Sequence, residues 1–138
     1  MLPTDDFDRS RHSVSAMHVH LVFVAKYRRK VFDAAALGLM RKLFGDACRK
    51  MKADLIEMDG ERDHVHLLIS YPPMLSITVL VQRLKGATSR LLRMARPDIQ
   101  QRFWKGVLWS PSYFATSCGG APSAVIRQYI EQQNSPRY

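Results

Sequence analysis

The sequence predicts an α+β fold: a ferredoxin-like, RRM-like β-α-β-β-α-β sheet with one additional C-terminal helix. Three observations carry this. Short runs of β-branched and aromatic residues alternate with amphipathic helical runs. Two adjacent strands, joined across Gly60-Glu61-Arg62, read as a hairpin set between the first two helices. A last helical run follows the final strand and needs a surface to cover.

Each element has a local reason. MHVHLVFVA, residues 17–25, is a strand by composition, and KYRRK at 26–30 closes it with four cations and a tyrosine. Asp33 can cap a helix running to about Lys52, with Leu37, Met40, Phe44, Ala47 and Met51 on one buried face. Its last turn carries Arg49, Lys50 and Lys52, where cations suit the helix dipole. DLIEMD, 54–59, is a short alternating strand, and DHVHLLISY, 63–71, returns beside it until Pro72-Pro73. A helix then spans about Ser76 to Ala95, stopped by Pro97, with Leu80, Leu84, Ala87, Leu91 and Ala95 inward. Residues 106–117, GVLWSPSYFATS, form a strand interrupted by Pro111, which suits an edge. Gly119-Gly120 breaks the chain, and Pro122 fits the first turn of a helix over 122–133. The expected organisation is a flexible leader at 1–15, one domain at 16–134 and a short tail at 135–138. In this topology the first and third strands are the central pair.

The 138 residues suffice for one hydrophobic core. No apolar run approaches the ~20 residues that span a bilayer, and the polar N-terminus does not resemble a signal peptide. Two distant cysteines, Cys48 and Cys118, suit a reducing compartment, so a cytoplasmic location is expected. Lys and Arg outnumber Asp and Glu by 21 to 12, a net charge of +9 that attracts polyanions, nucleic acid first among them.

The chemistry concentrates in two places. Strand alternation puts His64 and His66 on one face, ~7 Å apart along the strand, while Val65, Leu67 and Ile69 face the helices. Two imidazoles at that spacing converge on one ion but need a further ligand from another element. The same alternation turns the Asp63 side chain away from them. His18 and His20 repeat the pattern on the first strand. An HxH pair on its own more often just faces solvent, so a partner element must supply the weight. The last helix offers one. Tyr129 and Gln133, four apart, share a helix face. That face also reads as the polar end of an apolar stripe with Val125, Ile126 and Ile130. Beside the histidines, a glutamine oxygen completes a His-His-Gln set suited to Mg²⁺ or Mn²⁺ holding phosphate oxygens, with a phenol one turn away.

The blocks LVFVAKYRRKVF, DHVHLLI, QRLKGATSRLL, LWSPSYFATSCGG and QYIEQQ resemble those of the small single-tyrosine HUH transposases of bacterial insertion sequences, the TnpA type. The resemblance spans about Val14 to Gln133. It implies that His64 and His66 are the metal-binding pair and Gln133 the third ligand. It further implies that Tyr129 is the nucleophile that forms a 5′-phosphotyrosine link and frees a 3′-OH. It implies single-stranded DNA with subterminal hairpins as substrate, and a homodimer in which the tyrosine helix docks on the partner's histidine strand. The first strand of the family often carries a histidine where His20 stands, so His20 is expected to support the site. Asp63 is placed beside the site in the same supporting sense.

For nucleic-acid contact, the densest patch is Lys26, Tyr27, Arg28, Arg29 and Lys30, where a ring among cations can stack on an unpaired base. Arg83, Lys85 and Arg90 come next, with Gly86 allowing close backbone approach. Trp104, Trp109 and Phe114 are expected in the core or an interface. Two other readings compete: a non-catalytic RRM-like single-strand-binding module, and a domesticated relative that nicks chromosomal repeats. The first expects exposed aromatic residues on the central strands, where this chain has histidines.

Overall fold

The computed structural model describes residues 17–117 and 123–133; the side chains of Trp104 and of residues 123–126 lie outside the description. The expected leader, tail and Cys118 also fall outside it.

The elements run β1 (Met17–Val24), α1 (Ala34–Lys50), β2 (Asp54–Glu61), β3 (His64–Tyr71), α2 (Ile77–Ala95), α3 (Pro97–Gln100), β4 (Phe114–Ser117) and α4 (Ser123–Gln132). The sheet order is β2-β3-β1-β4, all antiparallel, so β1 and β3 are the central pair as the topology requires. No helix among the described residues is long and apolar enough to cross a membrane.

The sheet has two different faces because side chains alternate along its central strands, β1 and β3. Val19, Leu21, Phe23 and Ala25 of the first strand, with Val65, Leu67 and Ile69 of the third, are buried against α1 and α2. Phe23, Phe32, Phe44 and Trp109 meet there as tilted ring pairs 5.4 to 6.3 Å apart. The opposite face carries the even-numbered residues of β1 and β3. There Val22 and Val24 are covered by Ile130 of α4, with Phe114 and Tyr129 alongside. The extra helix therefore covers the second face of the sheet.

Several sequence expectations shift by local physics. The hairpin turn is Arg62-Asp63, because Glu61 already pairs with His64. Gly60 lies inside β2, where a Cβ would come within 2.6 Å of Leu37 Cδ2; the residue permits α1 to approach, not the chain to turn. An irregularity between Leu55 and Glu57 changes the parity of β2, so Met58 joins the core and Asp59 and Glu61 face outward. On α2 the buried row is Leu80, Val81, Leu84, Thr88 and Leu92, not the row through Leu91 and Ala95. A threonine can take that place because its hydroxyl donates to Leu84 O at 2.8 Å and accepts from Trp109 Nε1 at 3.0 Å. The strand expected at 106–117 is a bridge at Trp109 to Ala25 and then β4 proper, split at Pro111. Trp109 is core, as expected, and Phe114 is half-buried beneath α4.

Asp33 caps α1 by accepting from Ala36 N at 2.8 Å. Arg96, at the end of α2, also grips both of its carboxylate oxygens. The bond from Arg96 and then the Ala36 N–H hold the Asp33 carboxyl well below the usual carboxylate range. Its stabilising charge is present above the unfolded carboxylate pKa near 4 and is lost as pH falls through the lowered folded value. Asp33→Ala is expected to cost about 1 kcal/mol of unfolding free energy, and chemical denaturation at pH 7 checks this.

Candidate functional site

The outward face of the sheet is a grid of side chains. Register sets Glu61, His64, Val24 and Ser110 across one row, the last through Ser110 N to Val24 O at 2.8 Å. The next row is Asp59, His66, Val22 and Phe114. His20 lies one row further, between Leu68 and Thr116. Strands stand 4.7–4.9 Å apart. The histidine column and the β4 column are therefore separated by two spacings, about 10 Å.

His64 and His66 come together with ring centroids 5.3 Å apart. His64 is 7% exposed and is not a solvated strand residue. Its Nδ1 meets Asp63 Oδ1 at 2.8 Å. A carboxylate only accepts, so Nδ1 carries the proton and Nε2 keeps its lone pair for a ligand. Asp63 therefore does not point away from the pair. It sits in the turn, where strand alternation does not apply, and its other oxygen accepts from Arg28 Nε at 3.2 Å. Burial works to raise the Asp63 pKa, but the bonds from His64 and Arg28 prevail and the net shift is downward. Burial chiefly, and then the neighbouring His64, lower the pKa of His66; Asp59 and Glu61 oppose this, and His20 adds a small lowering. His20 thus stands close enough to be felt at the pair.

The histidines open onto a cleft of about 970 Å³ between the hairpin turn, the start of α1 and α4. Arg28, Lys30, Arg62 and Arg127 supply its positive charge, and Phe32, Leu37 and Ile130 its apolar walls. Asp59, Glu61, Arg127 and Glu131 join the site without any sequence motif assigning them a role there. The acidic pair was readable in principle, because β2 places carboxylates at 57, 59 and 61 opposite the histidine strand. The bulge that sets their face left no sequence signal.

Tyr129 and Gln133 are together, one turn apart, but on the far side of α4. The Tyr129 hydroxyl lies 3.0 Å from Ser112 Oγ, and its ring packs 5.6 Å from Phe114. Gln133 Oε1 accepts from Ser110 Oγ at 2.8 Å and Ser112 Oγ at 3.0 Å. Both occupy the β4 column, with Ile130 seated on Val22 and Val24 between them and the histidines. Among the described residues no bond links the two groups. Burial raises the Tyr129 pKa, with the Ser112 bond opposing.

Two adjacent imidazoles, one with its Nδ1 tied to Asp63, flanked by Asp59 and Glu61, fit a divalent cation. Among the described residues no three His, Cys, Asp or Glu side chains form a ready set. A third ligand has to be brought in, and the glutamine oxygen is of the right type.

The cationic loop divides between two clefts. Arg28 and Lys30 line the histidine cleft, while Lys26, Tyr27 and Arg29 line a smaller one with Arg102, Phe103, Lys105 and Val107. Tyr27 and Arg28 both hold left-handed backbone, φ 62° and 53°, a costly conformation for side-chain-bearing residues. Tyr27 is 42% exposed, with Lys26 Nζ and the Arg29 guanidinium 5.4 and 5.5 Å from its ring centre.

The second cationic group is split in the structure. Arg83 and Arg90 are exposed on α2, in the helix layer, with the sheet between that layer and the histidines. Lys85 is not a surface cation. Its ammonium donates to Ser110 O at 2.7 Å and Ser112 O at 2.9 Å, and burial lowers its pKa to about 8. A Cβ at Gly86 would meet nothing within 4 Å, so no close approach occurs there within the chain.

The sequence profile described as "Transposase IS200 like" matches residues 13–133. The ISDra2 transposase TnpA of Deinococcus radiodurans is 32% identical over 129 residues, covering 94% of this chain and 92% of that one. A transposase for insertion sequence element IS200 from Salmonella typhimurium is 30% identical, covering 83% of this chain and 74% of its own length. The crystal structure of a candidate transposase from Deinococcus radiodurans R1 superposes with a TM-score of 0.82 at 31% identity, covering 90% and 95% of the two chains. A REP-associated tyrosine transposase bound to a REP hairpin shares the fold at a TM-score of 0.56 and 10% identity, over 83% of this chain and 62% of that one.

Proposed function

The chain belongs to the IS200-like transposase family, and from that premise we propose that it cleaves and rejoins single-stranded DNA at insertion-sequence ends through a 5′-phosphotyrosine intermediate. It is a transposase, a DNA strand transferase, which sets aside the non-catalytic binding-module reading. The observation that carries the finer reading is the buried His64–His66 pair. Asp63 presets the His64 tautomer, and the pair opens onto a cleft walled by Arg127, Ile130 and Glu131 of the helix that carries Tyr129.

The residues divide the work. His64 and His66 would hold Mg²⁺ or Mn²⁺, with the Gln133 amide oxygen as the third ligand. When bound, the ion would supply polarisation of the scissile phosphate. Asp63 fixes the His64 ring, and Arg28 neutralises Asp63 from behind. The Tyr129 oxygen bonds to phosphorus and surrenders its proton. The bond from phosphorus to the 3′ oxygen breaks, and that oxygen leaves as a 3′-OH. Rejoining is the reverse attack by a 3′-OH.

Within one chain the tyrosine and histidine columns stand two strand spacings apart, which supports a homodimer whose α4 serves the partner's histidines. Hairpin ends are the proposed binding partner, held by the cationic loop. Tyr27, propped up between two cations, stacks on an unpaired base. Tyr27→Ala is expected to weaken hairpin binding by about 1–3 kcal/mol. Lys26→Ala or Arg29→Ala should each reduce the slope of log affinity against log salt by about 0.7, for a single-strand contact. Fluorescence anisotropy across a salt series measures both. A cleavage assay on single-stranded hairpin DNA, with and without Mn²⁺, tests the function itself. The expected product is a covalent protein–DNA adduct that depends on the metal.

A further inference from the structure

Resting on the assignment of Tyr129 and Gln133 above, we propose that Ser110-Pro111-Ser112, clamped by Lys85, is a dock. It holds the tyrosine helix off the histidines and releases it for cleavage.

The dock follows from three residues in extended chain. Positions 110, 112 and 114 point to one face of the sheet, so Ser110, Ser112 and Phe114 lie together under α4. Pro111 between them has no N–H for the ladder, which leaves β4 interrupted and the serines free to aim at α4.

The hydrogen bonds have one consistent direction. Ser110 and Ser112 both donate to Gln133 Oε1. Ser112 has spent its only proton there, so it accepts from the Tyr129 hydroxyl. The nucleophile's proton is therefore held by Ser112, and both lone pairs of the Gln133 oxygen are filled by serines. An amide oxygen in that state has no position left for a cation, and the phenol oxygen is held at Ser112, in the β4 column and not at the histidines. The groups the reaction needs are the groups the dock occupies. They must leave it before either can act.

Lys85 makes the dock rigid. Its ammonium reaches from α2 past the Phe23 and Tyr113 rings, 5.4 and 5.7 Å away, to the carbonyls of Ser110 and Ser112, with Pro111 O at 3.5 Å. A half-buried ammonium tolerates that site because its donors converge on one loop. The reach of this side chain fixes the height of both serines.

If leaving the dock limits cleavage, weakening the dock accelerates it. Ser112→Ala removes two of the bonds and is expected to speed single-turnover adduct formation about five-fold or more with hairpin DNA and Mn²⁺. Amide exchange over 127–133 in the DNA-free protein should quicken, while exchange in α1 stays at the wild-type rate. Lys85→Met should quicken α4 exchange in the same way. A merely structural role predicts the opposite sign for the rate, because damage slows a reaction. An adduct rate for Ser112→Ala at or below wild type overturns the dock. If wild type itself forms no adduct, the cleavage chemistry fails instead. The dock is then judged by exchange alone, and unchanged α4 exchange in Ser112→Ala overturns it.

Discussion

Tyr129→Phe is expected to eliminate the covalent protein–DNA adduct, a loss of about 10³-fold or more, while hairpin affinity stays within about 1 kcal/mol of wild type. The substitution removes only the hydroxyl. The ring remains, so its packing on Phe114 and the burial of Ile130 are kept. Tyr129 lines neither cationic cleft. Denaturing gel electrophoresis with end-labelled DNA reads the adduct, and anisotropy reads the binding. An adduct that survives in Tyr129→Phe would move the nucleophile to another tyrosine, and Tyr113 beside Lys85 would be examined first.

Losing the imidazoles should be nearly as severe. His64→Ala or His66→Ala is expected to lower cleavage by about 10²–10³-fold, because a cation left with one imidazole loses both affinity and placement. Asp63→Asn is the graded version. It keeps shape and hydrogen bonding but weakens the acceptor at His64 Nδ1, and about 10- to 100-fold in metal affinity should be lost. Raising Mn²⁺ should rescue Asp63→Asn and not His64→Ala. Mixed dimers then locate the site. If α4 serves the partner, a His64→Ala chain paired with a Tyr129→Phe chain forms one intact site. The adduct then appears on the His64→Ala chain. If each chain uses its own helix, neither is labelled.

Both variants depend on a site that sequence exposed unevenly. The histidine pair was legible because period-2 alternation is a property of the strand itself, requiring no knowledge of neighbours. The same rule misplaced Asp63, which belongs to a turn. Apolar periodicity points to Leu91 and not to Thr88, because it ignores a hydroxyl that finds its partners only in the folded core. Lys85 looked like a surface cation, since nothing in QRLKGATSR reports the carbonyls waiting beyond Phe23. The block LWSPSYFATSCGG marks the family, but nothing in it reports that Ser110 and Ser112 meet Gln133 and Tyr129.

The sequence by itself determined the element order, the central pairing of β1 with β3, the shared face of His64 and His66, and the shared face of Tyr129 and Gln133. The element order and the shared faces follow from backbone period and hydrophobic pattern, which act locally along the chain, and the central pairing follows from the element order. Only the tertiary structure decided which column of the sheet α4 stands over, which carboxylates flank the imidazoles, and what holds the phenol and the amide meanwhile. Those depend on strand register, on a bulge, and on side chains 17 to 27 residues apart in sequence, where distance along the chain no longer predicts distance in space.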